Sequence, residues 1–69
     1  MNKSQGQARI LRRPEVEART GLSRSAIYAE SAQGRFPRAV RLTAKAVGWL
    51  EADVDAWISA RVQAAQAGA

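Results

Sequence analysis

A chain of 69 residues with no cysteine and no histidine can form only one small domain, and neither disulfides nor the usual zinc ligand sets can staple it, so apolar burial must hold the fold. The composition, 46% hydrophobic, suffices for a core, but no apolar run approaches the ~18 residues that span a bilayer and none follows Met1-Asn2-Lys3 where a secretory signal would lie; a soluble, cytoplasmic protein is expected. The net charge of +5 is uneven: nine basic residues face three acidic ones over residues 9–45, whereas from residue 46 onward Arg61 stands against Glu51, Asp53 and Asp55, so the first stretch suits a polyanion and the last does not.

Residues 1–8 are polar, lack periodicity and read as a disordered leader. Ile10 and Leu11 form a short extended lead-in, because Arg13 precedes a proline and is pushed away from helix. Pro14 suits the first helical position, where its missing N–H is no loss, and Glu15 and Glu17 suit the positive end of the helix dipole. A short first helix over residues 14–20 is predicted, with Val16, Ala18 and Thr20 as its packing face.

The stretch Thr20-Gly21-Leu22-Ser23-Arg24-Ser25-Ala26-Ile27-Tyr28 reads as the turn and second helix of a helix-turn-helix. Gly21 can take the positive φ that ends one helix, and Ser23 can cap the next. Leu22 and Ile27 face the first helix, while Arg24, Ser25 and Tyr28 point outward. A hydroxyl-bearing, basic helix start suits phosphate and base edges. The second helix is predicted over residues 24–33 with Gly34 as its cap, and Glu30 is expected at the surface or paired with an arginine.

Phe36-Pro37 stops the helix and supplies an apolar anchor. Arg38-Ala39-Val40-Arg41-Leu42 alternates as a half-buried strand does, Val47-Gly48-Trp49-Leu50 makes the return strand, and the hairpin exposes Arg38, Arg41 and Lys45 as a basic wing. Leu50, Val54, Trp57, Ile58, Arg61 and Val62 recur at helical spacing, so a third helix is predicted from Glu51 to about Gln63 or slightly beyond, with Trp49 and Trp57 as core anchors. Residues 64–69 are expected to fray.

Catalysis finds little support. Glu51 and Asp55 share a helix face without Asp53 or any histidine, no glycine-rich phosphate loop is present, and Ser23 and Ser25 have no base to activate them. Neither an enzyme nor a bound cofactor or metal is expected.

The segments Ile10-Leu11-Arg12, Pro14-Glu15-Val16, the corner above, Gly34-Arg35-Phe36-Pro37, Val40-Arg41-Leu42 and Ala46-Val47-Gly48-Trp49-Leu50-Glu51 form one ordered pattern. It resembles the AlpA family of small prophage-encoded regulators, similar in fold to excisionases and to the winged-helix headpieces of MerR-type regulators. The resemblance implies DNA binding, with Ser23, Arg24, Ser25 and Tyr28 in a major groove and Arg38, Arg41 and Lys45 along the backbone or minor groove. It departs at Ala29, Glu30 and Ser31, where the pattern has a basic residue followed by apolar ones.

The expected architecture is mainly α with a small β-hairpin: a winged helix-turn-helix of three helices plus a wing over residues 9–63. The expected function is sequence-specific transcriptional regulation of a prophage or integrated element, with Arg12, Arg13 and Arg35 joining the wing on phosphates. The partners are double-stranded DNA and, beside it, a second copy, an integrase or RNA polymerase. The competing readings are an excisionase that bends DNA for an integrase and, from another class, an antitoxin or inhibitor docking on an acidic partner, paired through Ala60, Ala64, Ala65 and Ala67.

Overall fold

The computed structural model describes residues 8–68, so the expected leader lies, but for Ala8, outside the described residues. In chain order the elements are β1 (Ile10–Leu11), α1 (Arg13–Thr20), α2 (Arg24–Ala32), β2 (Val40–Thr43), β3 (Ala46–Leu50) and α3 (Glu51–Gly68). Three helices and a small antiparallel sheet make a mainly α, winged helix-turn-helix fold.

Helix α1 begins where Arg12 turns extended (φ −88°, ψ 165°) and its carbonyl accepts from the Val16 N–H at 3.0 Å. That bond makes Arg13, rather than Pro14, the first helical residue. The Glu15 carboxylate reaches back to the Arg12 N–H at 3.1 Å, satisfying a donor that no helical carbonyl can reach. The other end closes on Gly21 at φ 76°, whose N–H donates to the Glu17 carbonyl at 2.8 Å. A side chain is strained in that left-handed conformation. Two residues on, Ser23 Oγ accepts from the Ala26 N–H at 3.2 Å and opens α2.

Helix α2 ends on a second left-handed glycine, Gly34 at φ 74°. The Gly34 N–H donates to the Ser31 carbonyl at 3.0 Å and the Arg35 N–H to the Glu30 carbonyl at 2.9 Å, the reversed pair of bonds that a Schellman close requires. The apolar contact that commonly accompanies such a close is replaced by an ion pair, Arg35 Nε to Glu30 Oε1 at 2.9 Å. Glu30 is thereby accommodated at a position the helix period aims inward.

The sheet runs β1-β3-β2, both pairings antiparallel, with Leu11 opposite Trp49 and Val40 opposite Gly48. The lead-in is therefore a third strand, too short for a period to show. The three strands close only because residue 48 is glycine. A Cβ there would collide with Cγ2 of Ile10 and stand 3.0 Å from the Leu11 carbonyl oxygen.

The core is Leu11, Val16, Ile27, Phe36, Trp49 and Val54, with Leu22, Val47, Trp57 and Ile58 packed against it. Both tryptophans also hold the connection after α2. Trp49 Nε1 donates to the Pro37 carbonyl at 3.2 Å and Trp57 Nε1 to the Arg35 carbonyl at 2.7 Å, while Phe36 meets Trp57 edge to face at 5.0 Å.

Two further expectations need correcting. Strand β2 is exposed along its whole length rather than half-buried, Val40 and Leu42 included, because it is an edge strand and the helices pack on β3. Helix α3 does not end near Gln63 but runs to Gly68. Its distal alanines are the strongest helix formers and sustain the turns without tertiary support. Val62, placed on the inward stripe by its spacing, is exposed.

Candidate nucleic-acid interface

The acidic start of α3 is bound to the basic strand and helix in front of it. Arg19, near the end of α1, reaches Glu51 and Asp55 at 2.7 Å each, and Arg9 reaches Glu15 at 3.2 Å and Glu51 at 3.4 Å. The hydrogen bond to Glu51, followed by the charges of Asp55 and Glu51, holds the Arg19 guanidinium above its ordinary value. The Glu51 N–H donates to the Arg9 carbonyl at 2.8 Å, so the same junction is tied by backbone. This brace locks α3 to α1 and β1. It leaves those arginines neutralised.

A groove of about 430 Å³ opens elsewhere, where the start of α1, the start of α2 and the wing tip meet. Arg12, Arg13 and Pro14 form one wall, Arg24 and Tyr28 the second, and Lys45, Ala46 and Val47 the third. Arg12 is held in place from across the groove: its Nε donates to the Val47 carbonyl at 3.1 Å. Arg13 pairs with Glu17 one helical turn on. The Arg24 guanidinium lies 6.0 Å from the centre of the Tyr28 ring, within reach of its negative face. Arg24 and Lys45 have no acidic partner among the described residues. Four cations thus share a concave surface with one exposed aromatic ring, an arrangement that attracts polyanions.

A family model described as Prophage CP4-57 regulatory protein (AlpA) matches residues 9–62, which covers every wall of this groove. The chain belongs to the AlpA family. It is 45% identical over 62 residues to the uncharacterized protein ORF88 of Enterobacteria phage P4, an alignment spanning 90% of this chain and 70% of that one. It is also 41% identical over 59 residues to the DNA-binding transcriptional activator AlpA of Escherichia coli strain K12, spanning 77% of this chain and 84% of that one.

In this AlpA-family chain the ten residues singled out from sequence fall into three groups. Arg12, Arg13, Arg24, Tyr28 and Lys45 meet in the groove. Ser23 and Ser25 stand beside it at the exposed start of α2, where Ser23 Oγ is engaged as the helix cap and lies 3.5 Å from Ser25 Oγ. Arg35, Arg38 and Arg41 lie outside it. Arg35 is engaged with Glu30 at the far end of α2. Arg38 and Arg41 are exposed along the outer strand and its approach, and Arg41 Nη1 donates to the Ala44 carbonyl at 3.2 Å. Sequence reasoning missed Pro14, Ala46 and the Val47 carbonyl as groove components. The last is a backbone group, for which no side-chain signal exists.

Among the described residues no helix is long and apolar enough to cross a membrane, and no group of three acidic, histidine or cysteine side chains could hold a metal ion.

Proposed function

We propose that this protein is a DNA-binding regulator of prophage or integrated-element genes that inserts the start of α2 into a major groove. Arg24, Ser25 and Tyr28 face base edges, Ser23 caps the helix that carries them, and Arg12, Arg13 and Lys45 hold the phosphates on either side. The convergence of those cations with Tyr28 on one groove carries the reading. The DNA-binding activator among its relatives supports it. Arg35, Arg38 and Arg41 are not part of this surface. Such a role places the protein in the cytoplasm, beside RNA polymerase or an integrase.

Titrating the Arg24→Ala and Lys45→Ala variants on a selected duplex and on random duplex, at two salt concentrations, tests the assignment. Arg24→Ala should weaken the selected site by about 1 to 3 kcal/mol while leaving random DNA nearly unchanged. Lys45→Ala should weaken both alike and flatten the salt slope by about one. Equal losses on both duplexes for Arg24→Ala would remove the base-reading role. Absence of duplex binding by the wild-type protein would remove the whole reading.

A further inference from the structure

The pairing of β1 with β3 stops one step short. The Glu51 N–H donates to the Arg9 carbonyl, and two residues along Leu11 stands opposite Trp49. In an antiparallel ladder the bonded positions recur at every second residue, so the next carbonyl aimed at β1 belongs to Val47 and its partner would be Arg13. Arg13 has already turned into α1. The Arg12 side chain supplies the donor that the ladder lacks there, its Nε lying 3.1 Å from the Val47 carbonyl oxygen. An arginine side chain thus extends the sheet where the main chain has left it.

What this bond holds is the wing. Strand β2 is exposed throughout and pairs with β3 alone, and Lys45 stands in the turn between them. Outside the sheet ladders, no other hydrogen bond among the described residues ties residues 40–47 to the rest of the chain. The Val47 side chain does rest against the core, but an apolar contact has no direction and leaves the tip free to tilt about it. A hydrogen bond has a preferred angle and removes that freedom. Neither Nη group of Arg12 has a partner among the described residues, so the guanidinium keeps donors to turn toward a phosphate.

We propose that Arg12 is a positioning residue: it sets where Lys45 stands relative to Arg24, so that the wing and the reading helix engage DNA as one unit. The inference rests on the duplex-binding reading above. Two edges of one guanidinium act separately, Nε fixing the wing through Val47 while the Nη groups hold a phosphate. Charge serves only the second. Lys45 therefore delivers its full contribution only while Arg12 keeps the tip in place.

Two variants separate the two edges. Arg12→Gln sets an amide nitrogen as many bonds from the backbone as Nε and removes the charge, whereas Arg12→Lys keeps the charge and moves its single nitrogen one bond further out. NMR relaxation of the backbone amides of residues 44–47, without DNA, should show a mobile tip in Arg12→Lys and wild-type rigidity in Arg12→Gln, both with unchanged circular dichroism spectra. On duplex, Arg12→Gln should flatten the salt slope by about one and Arg12→Lys should leave it unchanged.

Combining each variant with Lys45→Ala decides the matter, because independent contacts add and contacts sharing a movable element do not. Lys45→Ala should cost as much in the Arg12→Gln background as in the wild type, and at least about twofold less in the Arg12→Lys background. The same Lys45→Ala loss in all three backgrounds overturns the proposal, as does equal tip mobility in the two Arg12 variants. Absence of duplex binding by the wild-type protein would instead remove the reading on which this rests, and relaxation would still uphold or overturn the hold of Arg12 on the wing.

Discussion

Arg19 and Arg24 lie on either side of one sharp corner, yet the first is held between two carboxylates and the second faces none. The same division runs through the whole basic stretch. At the brace, Arg9 and Arg19 are engaged with Glu15, Glu51 and Asp55; elsewhere Arg13 is matched by Glu17 and Arg35 by Glu30. Asp53 is the acidic residue left without a partner among the described residues. The groove keeps Arg12, Arg24 and Lys45 unmatched by any acid. Net charge therefore says that a polyanion can bind, while the placement of the carboxylates says where. Cations at the brace hold elements together, and Arg12, Arg24 and Lys45 in the groove remain available to a ligand, with Arg13 beside them sharing its charge with Glu17.

Gly48→Ala should break both regions at once and give the largest effect. Strand β3 carries the Val47 carbonyl that orients Arg12 and leads directly into the braced start of α3. A methyl group there overlaps Ile10 and crowds the Leu11 carbonyl, which is backbone and cannot swing aside. Overpacking of this kind costs about 1–3 kcal/mol, and in a domain this small each kcal/mol lowers the melting temperature by about 4–8 °C. Thermal unfolding checks it; an alanine variant melting with the wild type would mean that the strands need no close approach at this residue.

Arg19→Ala should affect one region and spare the other. Removing it releases Asp55 and leaves Glu51 to Arg9 alone, so the melting temperature falls. Duplex affinity and its salt slope, measured well below the transition, should stay at the wild-type values. That is the reverse of Arg24→Ala, which should weaken binding without moving the melting curve. If both variants weaken binding equally at a temperature where both are folded, the division between the two regions fails.

Much of this arrangement was legible in the sequence, and the illegible part has a physical cause. The corner at Gly21 and Ser23, the stop at Phe36-Pro37 and the start of α3 are local events, written in residues whose backbone preferences decide them. Pairing of β1 with β3 is not local. Ile10 and Leu11 are too few to show a period, and what fixes their place is the missing side chain at Gly48, far along the chain. Exposure of Val40 and Leu42 was equally hidden, because alternation says which residues share a face and not whether anything covers it. In the groove, proximity of Arg12 to Lys45 depends on a tertiary contact to the Val47 carbonyl, and the loss of Arg35 to Glu30 depends on the left-handed turn at Gly34 bringing the two side chains together.

Arg35 sharpens the comparison with the smallest expected effect. Its hydrogen bond to Glu30, aided by its charge and that of Arg61, holds the Glu30 carboxyl below the ordinary value of 4.5. A carboxyl whose pKa is lower in the folded chain than in the unfolded one stabilises the fold above its ordinary pKa, and that contribution disappears as the pH falls through the lowered value. Arg35→Ala removes the main cause of the shift. The wild-type protein should therefore melt slightly above the variant at neutral pH, and the gap should close on acidification below 4.5. Because the pair is solvent-exposed, the gap should be small and should shrink in salt. Duplex binding at neutral pH should be unchanged, since the guanidinium is committed to the close of α2 and stands outside the groove. Weakened binding by this variant would return Arg35 to the ligand-facing set, and position in the groove would then no longer separate the two kinds of cation.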